Sequence, residues 1–423
     1  MKVNLISLGC PKNLVDSERI LGRLGGAGMT VCAAPGESDI IILNTCGFIA
    51  PAIAETEQEI EKNLGFVNNG RRLYVIGCAV NRCGTQLKRK YPRVSGWFRL
   101  EDVPGLLDRL ASGDAIPGVR LPTTIGYAYL KISDGCSNLC SYCTIPSIKG
   151  PHRSSRIEDL IAEGQGLAAL GIKELILIGQ DTTRYGIDLY GKPMISTLLD
   201  ELSRISGVEW LRIMYAHPGT IDGQLIDTIA RNKKVCKYID LPIQHINSRL
   251  LDSMNRRVDR QRIERVIKEL NEIDGIAIRT TVIVGYPTET DAEFDELMEF
   301  CGEGYFDWLG VFPYYRERGT EASGLRQLPE ETIRRRYAKA LALQQYLLKE
   351  KNRRRCGITY RALIHGRGAI ATGHAGWSAP ECDSQILVED QTLVPGEFYH
   401  IRISRVAGSD LRGEMASLIG RSN

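Results

Sequence analysis

The sequence predicts an α/β chain built in three parts. These are an N-terminal doubly wound parallel sheet, a central partial barrel of six β/α units, and a small antiparallel β-barrel. Three observations carry this. Apolar runs at 3–8, 39–43 and 73–76 are each followed by a helical pattern, at 12–27, 48–63 and 80–90. Six further apolar runs, at 128–132, 175–178, 211–215, 238–241, 278–284 and 308–312, alternate with helical segments near 157–169, 194–205, 222–231, 259–272 and 290–302. From residue 356 Val, Ile and Thr rise and Gly punctuates short strands. The expected boundaries are 1–117, 122–352 and 356–423.

A chain of 423 residues suits two or three domains, and its net charge of +3 gives no basic field to draw it to nucleic acid or membrane. No apolar run approaches a membrane span. The short apolar start before Cys10 contains Asn4 and lacks a basic region, so a first strand is expected there rather than a lipoprotein signal. Twelve cysteines point to metal or catalysis before disulfides, and the chain is placed in a reducing cytoplasm.

The three N-terminal runs end in Gly9-Cys10-Pro11, Asn44-Thr-Cys46-Gly47 and Gly77-Cys78. Ligands of doubly wound sheets sit outside the carboxyl ends of the strands, so Cys10, Cys46 and Cys78 are expected to share one site. The alternative is that they are small buried hydrophobes. Cys83 competes as a ligand at a lower rank, and Cys32 is expected in the core.

The first barrel strand leads into Asp134-Gly-Cys136-Ser-Asn-Leu-Cys140-Ser-Tyr-Cys143. Three thiolates spaced CxxxCxxC favour an iron–sulfur cluster, zinc or Cu(I). A zinc site wants a fourth ligand nearby, and the nearest, His152, lies beyond Pro146 and Pro151. The spacing also differs from the ferredoxin pattern. Three ligands on a four-iron cubane leave one iron open to a small molecule.

Polar residues cluster at the ends of the other barrel strands: Gln180-Asp181, His217-Pro218, Gln244-His245 and Gly285-Tyr-Pro. Gln180 and Asp181 serve either a cavity or a helix cap. His245 is either a contact to a bound small molecule or a hydrogen-bonded, half-buried histidine. Gly285 permits close backbone approach or a tight turn. Cys236 and Cys301 are expected in helix or helix-end positions without function. The segment 330–355 is a long amphipathic helix whose Arg334–Arg336 and Arg353–Arg355 fall on its solvated side.

These residues resemble known families. The CxxxCxxC loop is similar to that of the radical S-adenosylmethionine (SAM) superfamily. There three cysteines hold a 4Fe-4S cluster whose free iron chelates SAM, and an aromatic residue before the last Cys, here Tyr142, lies by the adenine. Leu8-Gly-Cys-Pro-Lys-Asn-Leu-Val-Asp-Ser-Glu18 and Asn44-Thr-Cys-Gly-Phe-Ile49 resemble the methylthiotransferases, in the branch that modifies an aspartate of a small-subunit ribosomal protein. The C-terminal strands, with Ala379-Pro-Glu-Cys-Asp383, resemble a TRAM domain. In that family the stretch ending at Gly285 packs against adenine. Thr288 stands where it usually has Gly, which weakens any need for a special backbone angle there.

The resemblance implies two 4Fe-4S clusters, on Cys136, Cys140 and Cys143 and on Cys10, Cys46 and Cys78, with SAM as both methyl and radical source. Reduced SAM cleavage would give a radical that removes hydrogen from the aspartate β-carbon. Sulfur presented at the second cluster completes methylthiolation. Gln180, His245 and Gly285 are the remaining SAM-site candidates. A basic ribosomal protein is the expected substrate, with a reductant protein such as flavodoxin or ferredoxin. TRAM domains often bind RNA, but 356–423 carries six Arg and no Lys against seven Asp and Glu, which argues against direct RNA binding. Two rivals are the same chemistry on a tRNA adenosine and an iron–sulfur electron carrier without turnover.

Overall fold

The computed structural model describes residues 1–67, 70–111 and 120–418. The expected boundary at 117 and the end of the last unit, 419–423, lie outside the described residues. The first sheet has five parallel strands, in the order Thr30–Val31, Lys2–Ser7, Ile40–Thr45, Arg72–Gly77, Gly96–Phe98. Its middle strand is buried along its whole length, which explains the unbroken Ile40-Ile-Ile-Leu43 run. Helices Pro11–Gly26, Ala50–Leu64 and Cys78–Lys90 follow the three main strands. Two short edge strands and a helix at Val103–Leu110 were not predicted, being too brief for a periodic signal.

The second sheet has six parallel strands in an open arc: Tyr127–Lys131, Glu174–Ile178, Trp210–Ile213, Val235–Asp240, Ala277–Val284 and Trp308–Pro313. Strand parity assigns its two faces. Ala128, Leu130, Leu175, Leu177, Leu211 and Ile239 pack on the surrounding helices. Tyr127, Tyr129, Ile176, Ile178, Trp210 and Tyr238 point the other way, into the concave face. Cys236 lies on that face within a strand, not in a helix as expected. Side-chain caps start the helices: Asp222 accepts from Leu225 N, Asp259 from Arg262 N, and Thr290 with Glu293 forms a capping box.

The C-terminal strands Thr359–Gly366, Ala371–Ala375, Ile386–Val388, Phe398–Ala407 and Asp410–Leu418 close into a barrel. Trp377, Phe398, Ile401 and Leu411 of this barrel share one core with the concave face. The small barrel therefore closes the open side of the arc. Arg212 and Glu174, both wholly buried, form the polar centre of this seam at 2.7 Å. Arg212 also donates to Gly376 O (3.0 Å) and Ala375 O (3.2 Å), and His374 pairs with Glu174.

The helix Glu330–Arg355 forms as expected, but two of its arginines do not face solvent. Arg336 is buried against Glu289 (2.5 Å), and Arg355 is buried against Asp307 (2.6 Å) with its guanidinium stacked over Trp377. Each had a carboxylate on a remote element to neutralise it. Among the described residues no helix is long and apolar enough to cross a membrane.

Candidate functional site

The N-terminal cysteines occupy one edge of the first sheet. Cys10 caps the helix Pro11–Gly26, Cys78 opens the helix Cys78–Lys90, and Cys46 follows the middle strand. Helix N-termini favour negative charge, so thiolates belong at this edge. Two glycines let the loops meet. A Cβ on Gly9 (φ 86°) would stand 2.7 Å from Cys46 Cβ, and one on Gly77 (φ 100°) would stand 2.5 Å from Asn44 Oδ1. Asn13 fastens the strand ends: its Nδ2 donates to Leu8 O (3.1 Å) and Thr45 O (2.9 Å), and the Cys78 thiol donates to its Oδ1 (3.7 Å). Burial raises the Cys46 thiol and pushes Cys78 up to about 12, and the charge of Cys10 adds to both.

The second trio sits on the loop after Tyr127–Lys131. Gly135 takes φ 68°, and a side chain there would clash with Pro151 O. Cys136 N bonds to Gly150 O (3.1 Å), Ser141 N to Met254 O (3.0 Å), and Ala322 N to Ser141 O (2.8 Å). Arg256 donates to the Cys140 sulfur (3.7 Å) and to Pro242 O (2.7 Å). Burial pushes the Cys143 thiol up to about 12, with Cys140 and Cys136 adding to the shift.

Each trio's members therefore feel one another's charge. Among the described residues no group of three His, Cys, Asp or Glu side chains is gathered tightly enough for a single metal ion. An iron–sulfur cubane spreads its thiolates farther apart, and buried thiols of this kind shed their protons to a metal. The residues present fit such a cluster at both places.

Lys12, two residues after Cys10, reaches the carboxyl edge of the second sheet. Its Nζ lies 3.3 Å from Gly179 O and 3.3 Å from the centre of the Tyr215 ring. Cys10 in turn contributes to raising the Tyr215 hydroxyl, after burial and Asp240. The stretch from Cys10 to Glu18 fixes this approach. Asp16 pairs with Lys131 on the first barrel strand. Glu18 accepts from Arg120 Nε (2.8 Å) and from Thr123 N (2.7 Å). On the far side Arg82 pairs with Glu317, which also accepts from Ala50 N (2.8 Å).

The other predicted residues are placed as follows. Tyr142 packs against Leu250, Met254, Tyr286 and Tyr314, directly beside its two flanking ligand candidates. Gln180 is half-buried at the end of Glu174–Ile178. Asp181 caps the turn that follows, accepting from Thr183 N, and it also holds Asn138 of the cysteine loop at 2.7 Å. His245 is fully buried: its Nε2 faces Glu289 (3.3 Å) and its Nδ1 accepts from Asn247 N (3.0 Å). The ring is thus hydrogen-bonded, and fully rather than half buried. Gly285 (φ 76°) approaches Ile333, where a Cβ would stand 2.8 Å from its Cγ1. Thr288 takes φ 69°, so the special backbone angle is present despite the missing glycine. Cys83 is half-buried and turned to Ala79 O, and Cys32 is half-buried near Val3 O, not in the core.

Sequence reasoning missed Lys12, Asn13, Tyr215 and Arg256. The first two lie in the quoted Cys10–Glu18 stretch, where their types were visible but their partners were not. Among the described residues seven non-glycine residues have positive φ: Leu139 on the cysteine loop, Tyr215, Gln244 and Thr288 after barrel strands, Asn255 and Arg257 between the helices Ser248–Ser253 and Arg260–Asn271, and Glu381 in the C-terminal unit. Strain of this kind concentrates at functional sites. A cavity of about 760 Å³ lies elsewhere, between Arg279, Gln344, Glu381, Asp383 and Asp410, and none of the six cysteines lines it.

A six-strand parallel arc with three cysteines after its first strand defines a radical SAM protein. Family models agree: radical SAM superfamily over residues 130–301, the uncharacterized protein family UPF0004 over 2–99, and TRAM domain over 356–416. The radical SAM methyltransferase TsrM from Kitasatospora setae has a similar fold, with a TM-score of 0.56, 14% identity, and 78% of this chain and 79% of that one covered. The chain belongs to the ribosomal protein uS12 methylthiotransferase family, RimO. It is 41% identical to the member from Pelotomaculum thermopropionicum, over 98% of this chain and 99% of the relative. It is 40% identical to the member from Aquifex aeolicus, over 98% and 97%.

Proposed function

We propose that this chain is a radical SAM transferase that adds a methylthio group to the β-carbon of an aspartate in ribosomal protein uS12. The observation that supports the reading is that Lys12, two residues after Cys10, reaches the carboxyl edge of the second sheet at Gly179 O and Tyr215. Cys136, Cys140 and Cys143 would hold one 4Fe-4S cluster and Cys10, Cys46 and Cys78 the other. Together with SAM these groups supply one-electron cleavage, methyl and sulfur.

The chain's own residues do the rest. Tyr142, Gln180 and Gly285 are the residues that would stand near SAM, and His245 holds the Gln244 turn through Asn247 and Glu289. Asp181 ties the cysteine loop to the second strand through Asn138, and Arg256 places a fixed positive charge against Cys140. Asn13 holds the three N-terminal strand ends at one point. The Glu18–Arg120 and Arg82–Glu317 pairs tie the first unit to segments flanking the second sheet.

The three units 1–117, 122–352 and 356–423 thus supply sulfur site, radical site and closure. The near-neutral small barrel favours a basic protein over RNA as its partner. A flavodoxin- or ferredoxin-like reductant and a cytoplasmic setting complete the reading. The test is to incubate reconstituted protein separately with uS12 and with tRNA. A methylthio mass increment on a uS12 aspartate is expected. A modified adenosine in tRNA with unmodified uS12 would sink the assignment.

A further inference from the structure

Lys131, Lys149 and Arg279 around the mouth are matched by carboxylates, whereas among the described residues Arg184 and Arg256 form no ion pair with a carboxylate. Lys131 pairs with Asp16 and Asp134, and Lys149 with Asp134 at 3.1 Å. Arg279 pairs with Asp240 at 2.9 Å and Asp383 at 3.3 Å. Lys12 differs. It is 5% exposed, yet among the described residues no carboxylate stands within ion-pair distance of it. An ammonium has three donors. One meets Gly179 O and the Tyr215 ring receives the charge, and among the described residues no other hydrogen bond of the ammonium is formed, although the charge of Cys10 acts on it.

Burying an unpaired charge costs several kcal/mol, so a buried cation is ordinarily paired. Tyr215 adds a second, independent sign. Its backbone takes φ 60°, a strained angle for a bulky residue, and this angle sets its ring beneath the ammonium. Asp240 secures the turn by accepting from Tyr215 N at 3.0 Å. Strain and an unpaired charge are thus kept together, beside Cys10 and at the carboxyl edge of the barrel strands. Arg184, whose Nε also lacks a partner, stands on the other side, by Cys136.

We infer that Lys12, seated on Tyr215 and Gly179 O, is the binding site for the side-chain carboxylate of the substrate aspartate. The reacting β-carbon is the atom bonded to that carboxylate. Anchoring the carboxylate beside Cys10 sets the β-carbon between the two trios. The inference rests on the uS12 reading and extends it to how aspartate is chosen.

The experiment compares wild type, K12M and K12R, each reconstituted with iron and sulfide. The probes are two fluorescent peptides from the uS12 target loop, one with the aspartate and one with asparagine in its place. Binding is read by anisotropy and iron by chromophore assay. Wild type should prefer the aspartate peptide by about 10- to 100-fold, the size of one charge-assisted bond. K12M should bind both peptides equally with its iron content unchanged. K12R should keep a preference for aspartate. If K12M retains the preference, or weakens both peptides alike, Lys12 is not the anchor. If K12M and K12R both lose iron, Lys12 serves the metal site and the inference falls. Wild type that cleaves SAM but neither binds nor modifies uS12 overturns the functional reading itself, and this assignment with it.

Discussion

Glu174 is the residue whose charge the seam between arc and small barrel depends on. It is wholly buried, bonded to Arg212 at 2.7 Å and paired with His374. Arg212, and behind it His374, outweigh the cost of burial and hold its carboxyl down from 4.5 to about 2. At about 1.4 kcal/mol per tenfold change, that corresponds to about 3 kcal/mol. Removing one partner of a buried pair costs about 3–5 kcal/mol by the independent route of leaving the other charge uncompensated. Glu174→Gln should therefore lower the unfolding free energy of the docked small barrel by about 3 kcal/mol. Trp210, Trp308 and Trp377 are buried in this seam, so urea unfolding followed by tryptophan fluorescence reads the effect directly. The double variant Glu174→Gln with Arg212→Met leaves no stranded charge and should recover part of the loss. The depressed carboxyl also sets a pH window. Its contribution is complete above about pH 4.5 and is lost as pH falls toward 2, and the variant should lack that slope. A Glu174→Gln protein within about 0.5 kcal/mol of wild type at neutral pH would refute the reasoning.

Gly77→Ala forces a Cβ to 2.5 Å from Asn44 Oδ1 at φ 100°, so it should cost the N-terminal site its iron while the CxxxCxxC site keeps its own; iron assay and SAM cleavage separate the two. Asn13→Ala removes the tie between Leu8 O, which is partly buried, and Thr45 O, which is buried, and should destabilise the first sheet by about 1–3 kcal/mol in urea unfolding. Thr288→Gly relieves a left-handed angle at φ 69°, and should stabilise by about 0.5–1 kcal/mol after the entropy of glycine is counted, read as a raised thermal midpoint.

Much of the architecture was legible because its signals are local or repeated. Three strand ends in cysteine and one CxxxCxxC loop mark candidate ligands by position and spacing, while the cluster chemistry came from the family resemblance. The first sheet and the arc follow from apolar runs long enough to show their period. What stayed hidden depends on distant partners. Arg336 and Arg355 looked solvated because a helix carries no sign of the carboxylates waiting at Glu289 and Asp307. Lys12 looked like one residue of a motif until Gly179 and Tyr215 were set beside it. Thr288 took an angle its residue type disfavours, since the surrounding loop decides it and Arg249 bonds its carbonyl at 3.0 Å. The last strand, Asp410–Leu418, mixes Gly, Arg and Glu with few apolar residues, so it gave no alternation to detect. Its pairing with Phe398–Ala407 creates it.

Two separate trios at one mouth make a claim that iron counting tests most directly. Wild type reconstituted under anaerobic conditions should carry about eight irons per chain, two four-iron cubanes. Changing Cys10, Cys46 and Cys78 together to Ala should leave about four and preserve SAM cleavage. Changing Cys136, Cys140 and Cys143 should also leave about four and abolish it. If the first triple variant still held about eight irons, those three cysteines would not be ligands, and the account of sulfur transfer would be contradicted.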